Sequence, residues 1–154
     1  MINKFIHWLY VRKFKLKLNR YGEDLKLYGY PVCTGSENII MGDRVSINHF
    51  AYINGRGGVH IGNDVAISAG AKIISTSLSV EEIAKNVMVH KSSPIVIGNF
   101  VQIGAGSIVL PGVHIGSNSI VAAGAVVTES IKEFSIVAGV PARVIKDLSD
   151  LKTQ

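Results

Sequence analysis

An aliphatic residue followed by a small or polar one recurs every six positions through most of the chain. The series runs Met41-Gly42, Ile47-Asn48, Ile53-Asn54, Ile61-Gly62, Ile67-Ser68 and Ile73. It resumes at Ile97-Gly98, Ile103-Gly104, Val109, Ile115-Gly116, Val121-Ala122 and Val127-Thr128. A second series of smaller residues lies four positions behind the first: Val45, Ala51, Val65, Ala71, Val101, Ser107, Val113, Ser119 and Ala125. A six-residue internal repeat predicts a parallel β-helix, in which each unit supplies one short strand and one corner and three units close a triangular coil. The aliphatic residues then stack on their equivalents in the next coil, and Gly and Asn are assigned to the corners for their tolerance of positive φ.

Gly42, Gly62, Gly98 and Gly116 mark one place in successive coils. From 98 to 116 is eighteen residues, and from 42 to 62 is twenty, the two extra residues falling at Gly55-Arg56-Gly57-Gly58. From 62 to 98 is thirty-six, which periodicity alone allows as two coils or as one coil with an insertion. Two coils would turn Lys85 and Lys91 into the core, and burying unpaired ammonium groups is prohibitive. Residues 76–93 are therefore expected to project as a loop, and a loop of that length in a compact domain is usually functional or disordered.

The flanks follow different patterns. Residues 2–18 read as a helix with Ile2, Phe5, Ile6, Leu9 and Leu16 at helical spacing, expected to cap the open end of the coil. After Thr128 the pattern changes, and Val137 to Lys146 is expected to open a short helix with Pro141 in its first turn. Val144, Leu148 and Leu151 would be its apolar stripe, and Arg143 and Lys146 would project together as a phosphate-binding pair. The predicted organisation is a basic cap over 1–24, a β-helix over 25–131 with its loop at 76–93, and an extension with a helix over 132–154.

The 154 residues, 47% hydrophobic and with 16 glycines, suffice for one domain with a core. Six basic residues and no acid fall within 1–20: Lys4, Arg12, Lys13, Lys15, Lys17 and Arg20. With Trp8 and Phe14 they suggest a peripheral contact with anionic lipid as the alternative to a plain cap, and no nucleic-acid partner is expected. The single cysteine, Cys33, excludes an intramolecular disulfide and fits a reducing compartment. No apolar run reaches membrane-spanning length, and the apolar start is followed by basic residues instead of a small-residue cleavage site. The expected location is cytoplasmic, at the inner face of the membrane if the basic helix touches lipid.

The ladder, the mid-chain loop and the ending Ala138-Gly139-Val140-Pro141-Ala142-Arg143-Val144-Ile145-Lys146 together resemble the hexapeptide-repeat acyltransferases, in particular the galactoside- and maltose-type sugar O-acetyltransferases. The resemblance covers residues 36–147. It implies a left-handed parallel β-helix, a homotrimer, and acetyl-CoA held as cosubstrate between neighbouring subunits, with no metal. It also implies that the small residues lying along the CoA arm are Ala105 and Ala123, that Thr128 lies near the adenine, and that Arg143 and Lys146 meet the phosphates. Glu129 stands where a basic residue commonly follows that Thr. The acceptor side departs further: the family's histidine base falls on Leu78, and a Trp of the strand after the loop falls on Gln102.

Transfer to a hydroxyl needs a base within hydrogen-bond reach of it. His7 lies in the N-terminal helix, and alternation turns His60 and His114 outward. His49, at a corner, is a secondary candidate for lining the acceptor cleft. His90 ends the projecting loop in His90-Lys91-Ser92-Ser93-Pro94-Ile95-Val96-Ile97-Gly98, which resembles a run found in a polysaccharide-associated branch of these enzymes. Histidine is the side chain suited to proton transfer near neutral pH, and His90 is assigned as the base, with Glu81 or Glu82 as a partner that could orient it.

The function expected from this resemblance is transfer of an acetyl group from acetyl-CoA to a sugar hydroxyl, in surface polysaccharide biosynthesis. Direct transfer in a ternary complex is favoured over a covalent acyl-enzyme, because nothing pairs Cys33 with a base. Three alternatives stand beside this reading. One is N-acetylation of an amino sugar, which can start from a neutral amine. Another is a zinc enzyme of the γ-carbonic anhydrase type built on His60 and His114. The last is a non-catalytic β-helix scaffold.

Overall fold

In the computed structural model, which describes residues 2–153 and the side chains of 4–151, one helix is followed by about six turns of a left-handed β-helix. Three parallel sheets form its faces. The first holds Arg20–Tyr21, Ile39–Met41, Val59–Ile61, Ile95–Ile97 and His114–Ile115. The second holds Lys26–Leu27, Ser46–Ile47, Ala66–Ile67, Gln102–Ile103, Ile120–Val121 and Ser135–Ala138. The third holds Val32–Thr34, Tyr52–Asn54, Lys72–Ile74, Ile108–Val109 and Val126–Val127.

The period places the core. All twelve members of the first aliphatic series and all nine of the second are buried. In-register pairing stacks Leu27, Ile47, Ile67, Ile103, Val121 and Val137 up the second face, and Cys33, Ile53, Ile73, Val109 and Val127 up the third. Each fully buried aliphatic side chain contributes about 1.5–3 kcal/mol, which the short strands need because each alone is marginal. Coiling begins at Arg20, five residues before the expected boundary, because Arg20 and Tyr21 pair with Ile40 and Met41.

The first corner, between the first and second faces, shows why glycine recurs there. Gly42, Gly62, Gly98 and Gly116 are not in the left-handed region; that conformation falls two residues later, on Arg44, Asp64, Phe100 and Asn118. The glycines are required by close approach. A Cβ on Gly42 would lie 2.2 Å from Asn63 Oδ1, and one on Gly62 would lie 2.4 Å from Asn99 Oδ1. Those oxygens belong to a ladder up the corner: Glu23 N donates to Asp43 Oδ1, Asp43 N to Asn63 Oδ1, Asn63 N to Asn99 Oδ1, and Asn99 N to Ser117 Oγ, at 2.8–3.0 Å. Arg44 and Asp64 form a two-pronged ion pair beside it, at 2.6 and 2.7 Å.

The helix α1 (Ile2–Lys17) covers the open N-terminal end with a different face from the one its spacing suggested. Phe14 and Leu18, 7% and 8% exposed, join the core, with Tyr10 and Val11 packed beside them. Tyr10 donates its hydroxyl hydrogen to the Pro31 carbonyl and meets Tyr30 edge to face at 5.0 Å. Phe5, Ile6, Leu9 and Leu16, expected inside, are exposed, and Phe14, suggested as a lipid contact, is not; the side chain of Ile2 lies outside the described residues.

The C-terminal segment also differs from expectation. Val137 to Lys146 does not open a helix: Ser135–Ala138 adds a strand to the second face, the chain reverses through 139–142, and Arg143–Asp147 returns antiparallel along it. The edge of the second face offers unpaired backbone groups, and satisfying them outweighs the weak helical signal of this stretch. A short 3-10 helix, Ser149–Thr153, follows.

Candidate active site

Residues 76–93 leave the coil at its third corner, between the third and first faces. Thr76–Leu78 and His90–Ser92 form an antiparallel hairpin whose tip carries the single turn α2 (Val80–Ile83). Its base is tied to the coil by Ser75, which is fully buried. Ser75 Oγ donates to Asn54 O at 2.6 Å and accepts from Gly57 N at 2.8 Å, and Ser93 N donates to Ser75 O at 2.9 Å. Lys85 and Lys91 are both exposed.

Leu78 and His90 are paired directly across the two strands. Side chains of an opposed pair emerge on one side with Cβ atoms about 4.5–5.5 Å apart, so an imidazole at 90 rises beside the place of Leu78. His90 is exposed. Neither acidic residue of the loop is engaged with it. Glu81 accepts from Ser79 Oγ at 2.7 Å, and that hydrogen bond, with help from Lys91, holds its carboxyl below the usual range. Glu82 bridges to Lys85 at 2.9 Å.

Ala105 and Ala123 come together on the second corner, between the second and third faces. Gly124 N donates to Ala105 O at 2.9 Å, so the two alanines occupy equivalent places one coil apart. The sequence reading missed the third member, Ala69, whose carbonyl accepts from Gly106 N at 2.9 Å. The signal was present: 105 to 123 is eighteen residues, and 69 to 105 is eighteen plus the insertion. Ala69, Ala105 and Ala123 are all exposed, and a Cβ on Gly106 or Gly124 would meet nothing within 4 Å. The corner is thus a smooth ridge along which an extended ligand can lie against the backbone. At its N-terminal end the ridge meets His49, whose carbonyl accepts from Gly70 N.

Thr128 lies at the third corner, apart from the alanines, and is exposed. Arg143 and Lys146 sit on the return strand. They share one side of it because the register shifts between Ile136 and Val137: Arg143 pairs with Ala138 and Lys146 with Ile136, both on the outer side of the second face. The Arg143 guanidinium is 3.6 Å from Glu129 in an exposed pair, so the departure at 129 sets a carboxylate against the arginine. A groove of about 530 Å³ runs between this strand and residues 129–135.

Other candidates are excluded by position. His60 and His114 lie on the first face with Val96 between them. That is two strand spacings, about 9.5 Å between their backbones, with the outward side chain of Val96 standing between the two rings. Among the described residues no group of three or more His, Cys, Asp or Glu side chains could hold a metal ion. Cys33 is the first member of the third-face stack, and burial pushes its thiol up to about 12, far from a thiolate at neutral pH.

Within one chain these groups do not converge. The hairpin leaves from the third corner, the alanine ridge follows the second, and the return strand lies on the second face. The hairpin tip also presents Val80, Ile83, Val87, Met88 and Val89 to solvent.

Comparison with known proteins gives three consistent findings. A family model, bacterial transferase hexapeptide (six repeats), matches residues 94–129. Galactoside O-acetyltransferase of Escherichia coli (strain K12) is 42% identical over 93 residues; the match covers 60% of this chain and 45% of that enzyme, so the chain spans about half the length of this curated relative. Among solved structures, galactoside acetyltransferase in complex with coenzyme A superposes with a TM-score of 0.82 at 32% identity, covering 92% of this chain and 70% of that one. A hexapeptide-repeat-containing acetyltransferase from Vibrio cholerae O1 biovar eltor, complexed with acetyl-coenzyme A, superposes with a TM-score of 0.85 at 26% identity, covering 91% and 76%.

Proposed function

This chain belongs to the hexapeptide-repeat transferase family, and from that premise we propose that it transfers an acetyl group from acetyl-CoA to a hydroxyl of a sugar, on a saccharide precursor of a surface polysaccharide. The relatives above are named as acetyltransferases and two are solved with CoA or acetyl-CoA. The observation that carries the reading is the Leu78–His90 pair, which supplies an imidazole beside the position from which the family's base is missing.

The cosubstrate lies along the ridge of Ala105 and Ala123, where side chains are too small to hold it off the backbone. Arg143 and Lys146 take its phosphates through charge-assisted hydrogen bonds, and Thr128 marks the adenine end. His90 accepts the proton of the acceptor hydroxyl as the oxygen attacks the thioester carbonyl. The tetrahedral intermediate collapses with cleavage of the C–S bond. The imidazolium returns its proton to the departing thiolate, leaving an O-acetyl sugar and free CoA.

The separation of His90 and the alanine ridge on different corners favours a site completed by a neighbouring copy, in a homotrimer. The exposed apolar hairpin tip supports this, since Val80, Val87 and Met88 would be covered by a neighbour.

The test is release of CoA thiol from acetyl-CoA over a panel of sugars and their amino analogues. Turnover on hydroxyl acceptors is expected. Turnover confined to amines would establish the second reading, N-acetylation, which Leu78 itself favours because a neutral amine attacks without prior deprotonation. No turnover and no acetyl-CoA binding would leave a scaffold.

A further inference from the structure

The helix α1 carries two apolar stripes on opposite sides. Phe14 faces the coil with Tyr10 and Val11 beside it, and Leu18, just past the helix, continues that side. Phe5, Leu9 and Leu16 recur at spacings of four and seven residues, which return to one face of a helix; at 100° per residue that face lies roughly opposite the packed one. They are 60%, 44% and 77% exposed, and Trp8 and Ile6, 52% and 48% exposed, border them.

The charge around this outward stripe has one sign. Residues 1–20 include Lys4, Arg12, Lys13, Lys15, Lys17 and Arg20 and no carboxylate. Arg12 lies on the stripe itself, its guanidinium 5.6 Å from the centre of the Trp8 ring, so that a cation and an amphipathic ring are presented side by side.

That combination selects the occupant. A second copy docking by the same stripe would bring an equally basic helix against this one, at a cost in like-charge repulsion. A bilayer with anionic headgroups offers the opposite charge to the cations and an acyl boundary to Phe5, Trp8 and Leu9. We infer that α1 lies in the plane of an anionic membrane surface, its outward stripe sunk to the acyl boundary, with the coil on the side away from the lipid. Among the described residues no helix is long and apolar enough to cross a membrane, so the proposed contact is interfacial. The inference does not rest on the transfer chemistry, because it concerns the end of the coil away from the return strand Arg143–Asp147.

Flotation with vesicles tests it: phosphatidylcholine alone against phosphatidylcholine with 30–40% phosphatidylglycerol, with the wild-type chain and a Phe5→Glu/Leu9→Glu/Leu16→Glu variant. All three side chains are exposed, so the variant is expected to melt at the wild-type temperature. Binding to the anionic vesicles is expected to exceed binding to neutral ones by at least about tenfold and to fall with salt. The triple variant is expected to lose roughly a hundredfold or more of that affinity. Equal or absent binding to the two vesicle types would overturn the inference. So would full binding by the triple variant, or a change in its sedimentation mass with lipid binding intact, which would make the stripe an interface between copies.

Discussion

Leu78 and His90 close a three-pair antiparallel ladder, each the direct cross-strand partner of the other. On the proposed reading, the base that the family resemblance places at Leu78 is replaced by a neighbouring imidazole on the other strand of the same hairpin. His90→Ala is expected to lower turnover on a hydroxyl acceptor by roughly 10²- to 10⁴-fold with CoA affinity nearly unchanged. The exchange Leu78→His/His90→Leu moves the ring across the pair and is expected to recover part of the loss. Steady-state kinetics of both variants check this, and near-normal turnover by folded His90→Ala would remove the assignment.

Arg143 faces a carboxylate at 3.6 Å that a bound phosphate would have to displace or tolerate. Arg143→Ala is expected to weaken CoA binding by about 1.5–3 kcal/mol, whereas Glu129→Gln is expected to tighten it. Calorimetric titration at two salt concentrations separates these outcomes, and an unchanged dissociation constant for Arg143→Ala would take that residue out of the site.

The hairpin tip should hold a neighbouring copy. Met88→Lys, at a side chain 75% exposed in the single chain, is expected to leave the melting of the isolated coil intact while reducing assembly and raising the KM for acetyl-CoA. Analytical ultracentrifugation across a concentration series reads the first effect. An assembly indifferent to charge at Val80 and Met88 would place the interface elsewhere.

The first corner predicts a ranking of glycine substitutions. A methyl on Gly62 would lie 2.4 Å from Asn99 Oδ1 and 2.8 Å from the Gly98 backbone, whereas one on Gly106 meets nothing and carries only the cost of its φ of +65°. Gly62→Ala is expected to cost about 1–3 kcal/mol or more through overpacking and loss of the ladder bond. Gly106→Ala is expected to cost about 1–2 kcal/mol. Denaturant unfolding of the two variants tests the order.

Asp64 is held below its ordinary value of 3.8 by the hydrogen bond from Arg44. Because the folded value is the lower one, the stabilisation is fully present above the ordinary carboxylate range and is lost as pH falls through the depressed value. The melting-temperature difference between wild type and Asp64→Asn is therefore expected to be constant near neutral pH and to shrink below about pH 4. A difference that grew on acidification would contradict the pairing.

The core was legible in the sequence because the six-residue period specifies which side chains point inward, and the positions of Lys85 and Lys91 argued for a projection. Three features were not legible. The helix α1 has two apolar stripes at equally good spacing, and only the shape of the first coil decides that Phe14 and Leu18 are the ones it covers. The corner glycines are set by atoms of the next coil, the Asn63 and Asn99 side chains at Gly42 and Gly62, Ser117 at Gly98 and the Glu133 backbone at Gly116, contacts between residues seventeen or more positions apart. The segment after Pro141 satisfies the helical pattern, but an unpaired sheet edge lay within reach, and a bulge restored the shared side of Arg143 and Lys146 that the helix had suggested. At the proposed site, the resemblance supplied the CoA-side residues and chemistry supplied His90, while their distribution over two corners and a sheet edge depended on the coil.

The return strand Arg143–Asp147 has a consequence for how the molecule coexists with copies of itself. Each face of the coil ends in a row of amide and carbonyl groups in register with the first strand of another coil, so an uncovered end is a template for head-to-tail growth into filaments. On the second face that row is occupied by a strand running the opposite way, with Arg143, Lys146 and Asp147 exposed along it. A newcomer there meets a strand of reversed direction that carries charges, not the next register of the coil. At the other end α1 lies over the first coil, so the repeat that builds the molecule is prevented from continuing past it.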